Sequence, residues 1–360
     1  MSSLRLFEGM NKLNNRIINL IKRMEASGID NILITDPKNM HYYSGFYNGE
    51  GYIVAGKSGF FVVTDSRYTE YATSVCEGFD VCDISSHKLT DFVPASQNLG
   101  FEDKSISYSQ YVWASSAVKD VLPIGNMALE LRQIKDSVEL SCIERAAAIA
   151  DGAFSYICSV MRPGMTEKQV AAEIDCYMKK NGADDIAFST IAAAGERGSL
   201  PHAIPTDRPL KEGDLVVMDY GCIIDGYASD MTRTVAVGDV SEECEKIYYT
   251  VLEAQQKALS EIKSGKIACE IDKCARDLIN VSYNGRFGHA LGHSVGLDIH
   301  ESPNLSPKNN KPLACGNVVT VEPGIYVPGL CGVRIEDLVA VTKDGIINFT
   351  KSDKELVIVK

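Results

Sequence analysis

The sequence lacks the features that mark membrane proteins, secreted proteins and zinc fingers. It has no apolar run of the roughly 18 residues that a transmembrane helix needs. Its eleven cysteines include no CxxC pair, so we expect free buried thiols in place of a disulfide framework or a zinc finger. The N-terminal segment MSSLRLFEGMNKLNNR has no apolar core of the kind that signal peptides carry. Together these absences predict a cytoplasmic protein.

The chain also has no excess of positive charge. The chain has 36 Lys and Arg against 48 Asp and Glu, and its formal net charge is −12. Neither nucleic acid nor a membrane is therefore expected as a partner, because phosphate binding needs clustered Lys and Arg. Hydrophobic residues make up 45% of the 360 residues, which is enough to form a buried core.

The order of sequence patterns predicts two domains. Residues 1–127 alternate between short strand-like and helix-like segments, as in a small α/β domain, and residues 128–360 form the second domain. A long helical pattern begins near Leu131 and stops at Pro163, which is followed by Gly. Thr166 then opens another helix with a T-E-K-Q capping sequence.

Two segments of the second domain resemble one another. The first reads GDLVVMDYG and continues through SDMTRTVAV, and the second reads GNVVTVEPG and continues through VRIEDLVAV. Their glycines and first acids align at a constant offset of 103 residues, and each segment then supplies a second acid. The four acids are Asp219 and Asp230 in the first segment, and Glu322 and Glu336 in the second. This repeat predicts a pseudo-twofold catalytic unit in which two related strand pairs face one site.

These acids stand in apolar, strand-like surroundings. Ionised Asp and Glu are rarely buried without a partner of opposite charge. Asp219 ends the strand LVVMD, and an antiparallel return of the chain would bring Asp230 beside it. Two carboxylates that close repel each other unless a cation lies between them. One or two metal ions are the simplest compensating charge.

Three of the six histidines fall within the segment HALGHSVGLDIH. They are His289, His293 and His300. No Glu follows the first of them, so the HExxH zinc motif is absent. Glycines at four-residue intervals disfavour a regular helix and indicate backbone that approaches a site closely. His202, in SLPHA, is a weaker candidate because a single His after Pro is more often a loop residue.

These motifs resemble the metal-binding signatures of the pita-bread metallopeptidases. The matching segments are DYG with SDMTRT, GHSVGLDIHE, VEPGIY and VRIED. That family includes Xaa-Pro aminopeptidases, Xaa-Pro dipeptidases (prolidases), methionine aminopeptidases and creatinases. In the first domain, YYSGF and TDSRYTEYA resemble the creatinase-type domain of the proline-specific branch. The resemblance implies an α/β (α+β) fold, with a creatinase-type N-terminal domain followed by a pseudo-twofold pita-bread catalytic domain.

The resemblance also implies two divalent metal ions held by five residues. Asp219 would chelate one ion, while Asp230 and Glu336 would bridge both. His293 and Glu322 would complete the other. Oxygen donors without a thiolate favour Mn²⁺, with Co²⁺ or Zn²⁺ as alternatives. A water between two such ions loses a proton near neutral pH, and the resemblance implies that this hydroxide is the nucleophile.

Further residues match positions that line the active site in this family. His202 and His300 are assigned to contact with the substrate carbonyl or leaving nitrogen and to proton transfer, and His289 lies with them. Glu322 is given a catalytic role in addition to its place among the ligands. Ser294 departs from the family, which usually has a second Gly after the ligand His. We expect it to alter the shape of the pocket without abolishing activity.

Arg334 has two alternative roles. It either binds the substrate carboxylate beside the metal ligands, or forms a buried ion pair with Asp219 or Asp230. Thr232, in DMTRT, is expected to steady a ligand carboxylate. Tyr326 lies either in the pocket wall or in the core.

The leading hypothesis is a cytoplasmic dimetal exopeptidase that cleaves the bond before proline at the N-terminus of peptides. Xaa-Pro aminopeptidase is the first choice because the compact length and the segment GERGSLPHA resemble bacterial forms. Xaa-Pro dipeptidase is the close alternative. It would share every metal ligand and differ in whether residues after proline fit the pocket.

Other hypotheses have less support. Methionine aminopeptidases do not carry this N-terminal domain. A non-catalytic pita-bread binding protein would not need the intact ligand set, and a hydrolase of amidino compounds would act on creatine. The resemblance further implies a homodimer whose substrates are small peptides with proline at the second position.

Overall fold

The computed structural model describes residues 14–360. The chain divides into two compact units between Arg132 and Gln133, slightly beyond the expected division at residue 127. Both units combine helices with β-sheet, as the expected fold class requires. Within the described residues, no helix is both long and apolar enough to cross a membrane.

The first unit is built on one mixed six-stranded sheet with the order β4-β3-β2-β1-β5-β6. The central β1–β2 and β2–β3 pairs are antiparallel, and the outer pairs are parallel. Leu33, Val54 and Phe61 belong to its buried core. The strands are β1 (Asn31–Ile34), β2 (Gly51–Gly56), β3 (Gly59–Thr64), β4 (Asp80–Asp83), β5 (Leu99–Phe101) and β6 (Val121–Pro123).

Six described helices accompany this sheet. Three of them begin at a residue whose side chain accepts backbone N–H groups of the first turn, namely Asn14, Asp36 and Ser107. They are α1 (Asn15–Ala26), α2 (Pro37–Ser44), α3 (Thr69–Val75), α4 (Leu89–Phe92), α5 (Tyr108–Ala117) and α6 (Met127–Leu131).

The second unit has four long helices and one short 3₁₀ helix. They are α7 (Ser137–Val160), α8 (Glu167–Lys180), the 3₁₀ helix (Gly195–Ser199), α9 (Glu242–Glu261) and α10 (Ala268–Tyr283). The prediction that α8 is capped by Thr166 is confirmed, since its hydroxyl accepts the N–H of Gln169.

The long helix α7 begins later than predicted. The apolar pattern placed its start near Leu131, whereas the structure ends α6 at Leu131 and begins α7 at Ser137. Asp136 sets this start because its side chain accepts the N–H groups of Val138 and Glu139, and Glu139 bonds back to the Asp136 N–H. Residues 132–136 consequently form a short turn and link between the two helices.

The strands of the second unit form two larger and two smaller sheets. Their orders are β20-β12-β9-β8, β14-β13-β15-β18-β19, β11-β10-β7 and β16-β17. The strands are β7 (Asp185–Ile186), β8 (Ile191–Ala194), β9 (Leu215–Tyr220), β10 (Cys222–Ile224), β11 (Tyr227–Ala228), β12 (Met231–Val237), β13 (Gly292–Ser294), β14 (Glu301–Leu305), β15 (Val318–Val321), β16 (Gly324–Val327), β17 (Cys331–Arg334), β18 (Asp337–Val341), β19 (Ile346–Asn348) and β20 (Ile358–Val359).

The sequence repeat appears as two related strand pairs. Strand β9 pairs antiparallel with β12, and β15 pairs antiparallel with β18. A small hairpin interrupts each pair, β10–β11 in the first half and β16–β17 in the second. Each half therefore presents one acid at the end of its first strand and another just before its last strand. This arrangement is the pseudo-twofold unit that the repeat predicted.

Helices α9 and α10 pack on the strands of the second half. Their apolar faces share a buried cluster with Val319, Val321 and Val339. Ile247 and Ile271 of the two helices are fully buried in it. This rigid support fixes the ends of β15 and β18, where the acids lie.

Candidate metal centre

Three proposed metal ligands come from different strands and meet at one point. Donor atoms of Asp230, His293 and Glu336 all lie within 4.8 Å of one another. His293 belongs to β13, and the two acids directly precede β12 and β18. The Nε2 atom of His293 is 3.5 Å from Oδ2 of Asp230.

Glu322 extends this cluster on the side of the second half. Its Oε1 atom lies 3.4 Å from Nε2 of His293 and accepts a hydrogen bond from Thr320 Oγ1 at 3.2 Å. The same threonine hydroxyl accepts the backbone N–H of His293 at 3.0 Å. Thr320 therefore fixes two of the proposed ligands together.

Asp219 extends the cluster on the side of the first half. Its Oδ2 atom is 2.6 Å from Nη2 of Arg334, and the side chain of Arg334 is only 3% exposed. Of the two roles considered for Arg334, the ion pair with Asp219 is thus present. The Oδ1 atom of Asp219 is buried and has no hydrogen-bond partner among residues 14–360.

Glu336 shows the same pattern of one bonded and one unbonded oxygen. Thr232 Oγ1 donates to its Oε2 atom at 2.7 Å, as expected for a threonine that steadies a ligand carboxylate. Nε of Arg334 in turn donates to Thr232 Oγ1 at 3.0 Å. The Oε1 atom of Glu336 is buried without a partner in the described part of the chain.

The electrostatics of the cluster call for an additional positive charge. Burial raises the pKa of Asp230 and of Glu336 well above their ordinary values, and neighbouring carboxylates add to both increases. Burial also raises the pKa of Glu322 to about 8, although Arg334 opposes the increase. Four carboxylates thus face a single arginine.

The imidazole of His293 adds to this deficit of positive charge. Burial, followed by the neighbouring His300, lowers its pKa to about 4, so the ring is neutral near pH 7. Its Nδ1 lies 3.2 Å from the carbonyl oxygen of Ser294, which assigns the ring proton to Nδ1. A lone pair on Nε2 then faces carboxylate oxygens, which is repulsive unless a cation lies between them. Oxygen and imidazole donors with unbonded buried oxygens therefore fit a divalent cation.

His289 lies beside the cluster with both ring nitrogens engaged. Nδ1 is 2.8 Å from the carbonyl oxygen of Ala290, and Nε2 is 2.9 Å from Oη of Tyr326. Nη1 of Arg334 donates to that same Oη at 3.0 Å. Tyr326 is thus placed in the site, and its hydroxyl proton points to His289. Burial, together with Arg334, lowers the pKa of His289 to about 4, so the ring stays neutral.

The other two histidines are more exposed. His300 packs its ring edge-on against His293, with 4.3 Å between the ring centroids. His202 is exposed on the turn that follows the 3₁₀ helix. Nη1 of Arg334 donates to the carbonyl oxygen of the adjacent Pro201 at 3.3 Å, which ties this turn to the cluster.

One expectation about the GHSVG segment is corrected, and Gly292 has a clear packing role. A Cβ on Gly292 would lie 2.0 Å from the carbonyl oxygen of Thr320, so this glycine permits close packing of β13 on β15 beside His293. Ser294 does not reshape the pocket through its side chain. It is fully buried, and its hydroxyl accepts a bond from Lys135 Nζ at 3.2 Å. The reason is strand alternation, which turns Ser294 away from the face of His293.

Sequence reasoning missed several residues of the site. Thr320 carried a usable signal, since it stands two residues before Glu322 and shares its strand face. Glu301 ends the GHSVGLDIHE motif, but its pairing with Lys135 carried no signal, because the two residues lie far apart in the chain and meet only in the folded protein.

Comparisons with known proteins agree with this geometry. The model of the creatinase/prolidase N-terminal domain matches residues 16–134, and that of metallopeptidase family M24 matches residues 141–343. The chain is 39% identical to a Xaa-Pro dipeptidase of Pyrococcus furiosus, over 96% of this chain and 100% of that protein.

Two solved structures are similar over almost their whole length. The Xaa-Pro dipeptidase from Bacillus anthracis has a TM-score of 0.92 and 38% identity, covering 97% of this chain and 99% of that one. The X-Pro aminopeptidase from Thermotoga maritima has a TM-score of 0.88 and 34% identity, covering 94% of this chain and 100% of that one. The chain therefore belongs to metallopeptidase family M24, with a creatinase-type N-terminal domain before a pita-bread catalytic domain.

Proposed function

We propose that this metallopeptidase is an Xaa-Pro dipeptidase, which hydrolyses the bond before proline in dipeptides. The observation that carries the proposal is the buried cluster of four carboxylates and one neutral imidazole with two unbonded carboxylate oxygens. The relatives named Xaa-Pro dipeptidase favour this substrate class.

The comparisons support the dipeptidase better than the aminopeptidase that the sequence favoured. The two activities share every proposed ligand and differ in the loops that admit or exclude residues after proline. The aminopeptidase stays a second candidate because a structure with that name has a TM-score of 0.88.

Five residues would hold the divalent ions, namely Asp219, Asp230, His293, Glu322 and Glu336. When bound, such ions supply Lewis-acid activation of the scissile carbonyl and of a water molecule. Mn²⁺ is the proposed occupant, because carboxylate-rich sites without thiolates suit it.

The proton transfers are assigned to the chain's own side chains. We assign Glu322 to accept a proton from the attacking water, because its carboxylate lies within 3.9 Å of both His289 and His293. The prolyl nitrogen leaves as a secondary amine and must gain a proton. His300 and His202 are the exposed imidazoles available to donate it or to bind the substrate.

Arg334 and His289 are given positioning roles. Arg334 donates to Asp219, Thr232, Tyr326 and the carbonyl of Pro201, which occupies four of its five N–H groups. Only one N–H group of Arg334 then stays available for a substrate carboxylate. His289 has both nitrogens engaged, so it holds the hydroxyl of Tyr326 and takes no part in proton transfer.

The test incubates the protein and Mn²⁺ with a mixture of Ala-Pro and Ala-Pro-Ala, and a parallel sample contains a chelator. Mass spectrometry follows the two peptides in each sample. Metal-dependent loss of the dipeptide alone supports the proposal. Release of Pro-Ala from the tripeptide would instead identify an aminopeptidase. Loss of neither peptide would contradict both activities and favour a binding protein.

The family resemblance also suggests a homodimer in the cytoplasm. Light scattering of a dilute and fully active sample tests the oligomeric state, and an active monomer would contradict it.

A further inference from the structure

A short link precedes the catalytic helices. Residues 132–136 connect α6 to α7, and Lys135 lies outside both segments matched by the family models. The turn before β15 holds its backbone in place. Lys135 N–H donates to the carbonyl oxygen of Gly316 at 2.9 Å, and Asn317 Nδ2 donates to the carbonyl oxygen of Gln133 at 2.9 Å. The position from which the Lys135 side chain starts is therefore fixed.

The side chain of Lys135 forms a buried ion pair beneath the proposed metal centre. Its Nζ donates to Oε2 of Glu301 at 2.9 Å and to Oγ of Ser294 at 3.2 Å. The side chains of Lys135 and Glu301 are only 1% and 7% exposed. A buried pair of this kind is strongly disturbed when one partner is removed, because the remaining charge stays in a poorly solvated place.

Glu301 closes the loop that carries His300. Its Oε1 accepts the N–H of Asp298 at 3.1 Å, and the N–H of Gly296 donates to the carbonyl oxygen of Asp298 at 3.0 Å. A Cβ on Gly296 would lie only 2.6 Å from Oε2 of Glu301, so the carboxylate fills the space left by this glycine. The loop 295–300 is thus folded around the Glu301 carboxylate.

The opposite side of this loop faces the site. His300 ends the loop and packs against His293 with 4.3 Å between the ring centroids. His293 has its own support, because its backbone N–H donates to Thr320. His300 depends on the loop, and therefore on Glu301 and its cation.

We propose that Lys135 is a positioning residue for the peptidase reaction, acting through Glu301 to hold loop 295–300 and thereby to place His300 beside the proposed metal centre. The expected changes in kcat and KM rest on the proposed function. Lys135 touches neither the proposed ligands nor His300.

The experiment compares three variants: Lys135→Met, Lys135→Arg, and a double variant that combines Lys135→Met and Glu301→Gln. The matched control is Lys343→Met, which replaces an exposed lysine. For each protein we would measure kcat and KM on the better substrate at saturating Mn²⁺, the Mn²⁺ dissociation constant by calorimetry, and the Tm. A displacement of about 1 Å at a catalytic group costs about 100-fold in rate. We expect Lys135→Met to lower kcat by about 10- to 100-fold while changing KM and the Mn²⁺ dissociation constant by less than about threefold.

The remaining variants separate positioning from mere stability. Lys135→Arg keeps the charge and should recover most of the lost kcat. The double variant removes both charges, so its Tm should return towards the wild-type value while its kcat stays low. Wild-type kcat in Lys135→Met, or a double variant that regains both Tm and kcat, would overturn the proposal. If Lys135→Met does not fold, the double variant decides on the same criteria.

A second readout does not depend on peptidase activity. In NMR spectra of the protein with labelled histidine rings, the His300 signal, assigned through His300→Gln, should shift in Lys135→Met, and the His202 signal should not. An unchanged His300 signal would contradict the positioning role. If the wild-type protein cleaves neither peptide, the proposed function fails, and this measurement still tests the placement of His300.

Discussion

The two halves of the repeat differ most clearly in the strand that flanks each of them. In the first half, β8 pairs with β9 and sets Ala194 opposite Val216. In the second half, β13 pairs with β15 and sets Ser294 opposite Val319, which corresponds to Val216 in the repeat. The residue before each of these is Ala193 in the first half and His293 in the second. One half of the site is therefore purely carboxylate, and the other includes an imidazole.

The halves also hold each other's acids. Arg334, from the second half, binds Asp219 of the first, and Thr232, from the first half, donates to Glu336 of the second. The backbone N–H of Glu336 likewise donates to the carbonyl oxygen of Thr232 at 3.0 Å. Neither half can place its acids alone. The repeat has thus become one interdependent site, in which the flanking strands supply the asymmetry.

The most severe way to break this shared site is to remove an acid that both proposed ions use. Asp230→Asn keeps the size of the side chain and removes its charge. Mutating residues that only hydrogen-bond to metal ligands usually lowers metal affinity or activity by about 10- to 100-fold. Because Asp230 is itself a proposed ligand, we expect kcat/KM to fall by more than about 100-fold and calorimetry to show weaker Mn²⁺ binding. The exposed Asp239→Asn is the control. A fully active Asp230→Asn protein would rule out the ligand assignment.

Replacing His293 by Ala makes the second half resemble the first. We expect the variant to bind fewer Mn²⁺ ions per chain, because the lost imidazole has no counterpart nearby, and to lose about 100-fold in kcat/KM. Metal analysis of the dialysed protein gives the stoichiometry. An unchanged metal content would mean that the difference between the halves has no bearing on metal binding.

The contacts between the halves should have smaller effects than the ligands themselves. Arg334→Gln removes the cation from Asp219, and Thr232→Val removes one hydroxyl without changing the side-chain shape. We expect each change to weaken Mn²⁺ binding by about 10- to 100-fold, with Arg334→Gln at the upper end because it loses an ion pair. Equal affinity in calorimetry for Arg334→Gln and wild type would show that the halves are energetically independent.

The smallest expected effect concerns the metal-free protein and pH. Burial raises the pKa of Glu322 to about 8, so folding favours its protonated form. A raised pKa gives stability that is present at low pH and is lost as pH rises through the folded value. His289 and His293, whose folded pKa is about 4, are half-protonated at pH 6.5 only in the unfolded state, so they offset part of this loss. Because burial also raises the pKa of Asp230 and Glu336, chelated protein should still lose about 1 to 2 °C in Tm between pH 6.5 and 8.

Added Mn²⁺ should reverse that trend, because the ion replaces the protons. The stabilisation by Mn²⁺ should grow from pH 6.5 to 8 and shrink below about pH 6, where protons compete for the ligands. Differential scanning calorimetry at both pH values checks the prediction. A Tm of chelated protein that does not change over this range would contradict it.

Much of the site was readable from the sequence, because buried charges are conspicuous in apolar strands. The acids of the repeat were found from their spacing alone, and the antiparallel return from Asp219 to Asp230 is present in the β9–β12 pair. The start of α7 was misplaced because the apolar pattern continues through residues 131–136, while the cap at Asp136 decides the boundary. Local capping outweighed periodicity at that point.

The sequence by itself determined the family, the repeated acids and the histidine-rich segment, because short motifs record which residue types stand close together along the chain. Only the tertiary structure decided that Arg334 forms an ion pair with Asp219, that both ring nitrogens of His289 are hydrogen-bonded, and that Lys135 forms an ion pair with Glu301. These contacts join residues 115, 37 and 166 positions apart. The physical reason is that a buried polar group is satisfied by whichever partner packing brings within bonding distance, and chain spacing does not encode that distance.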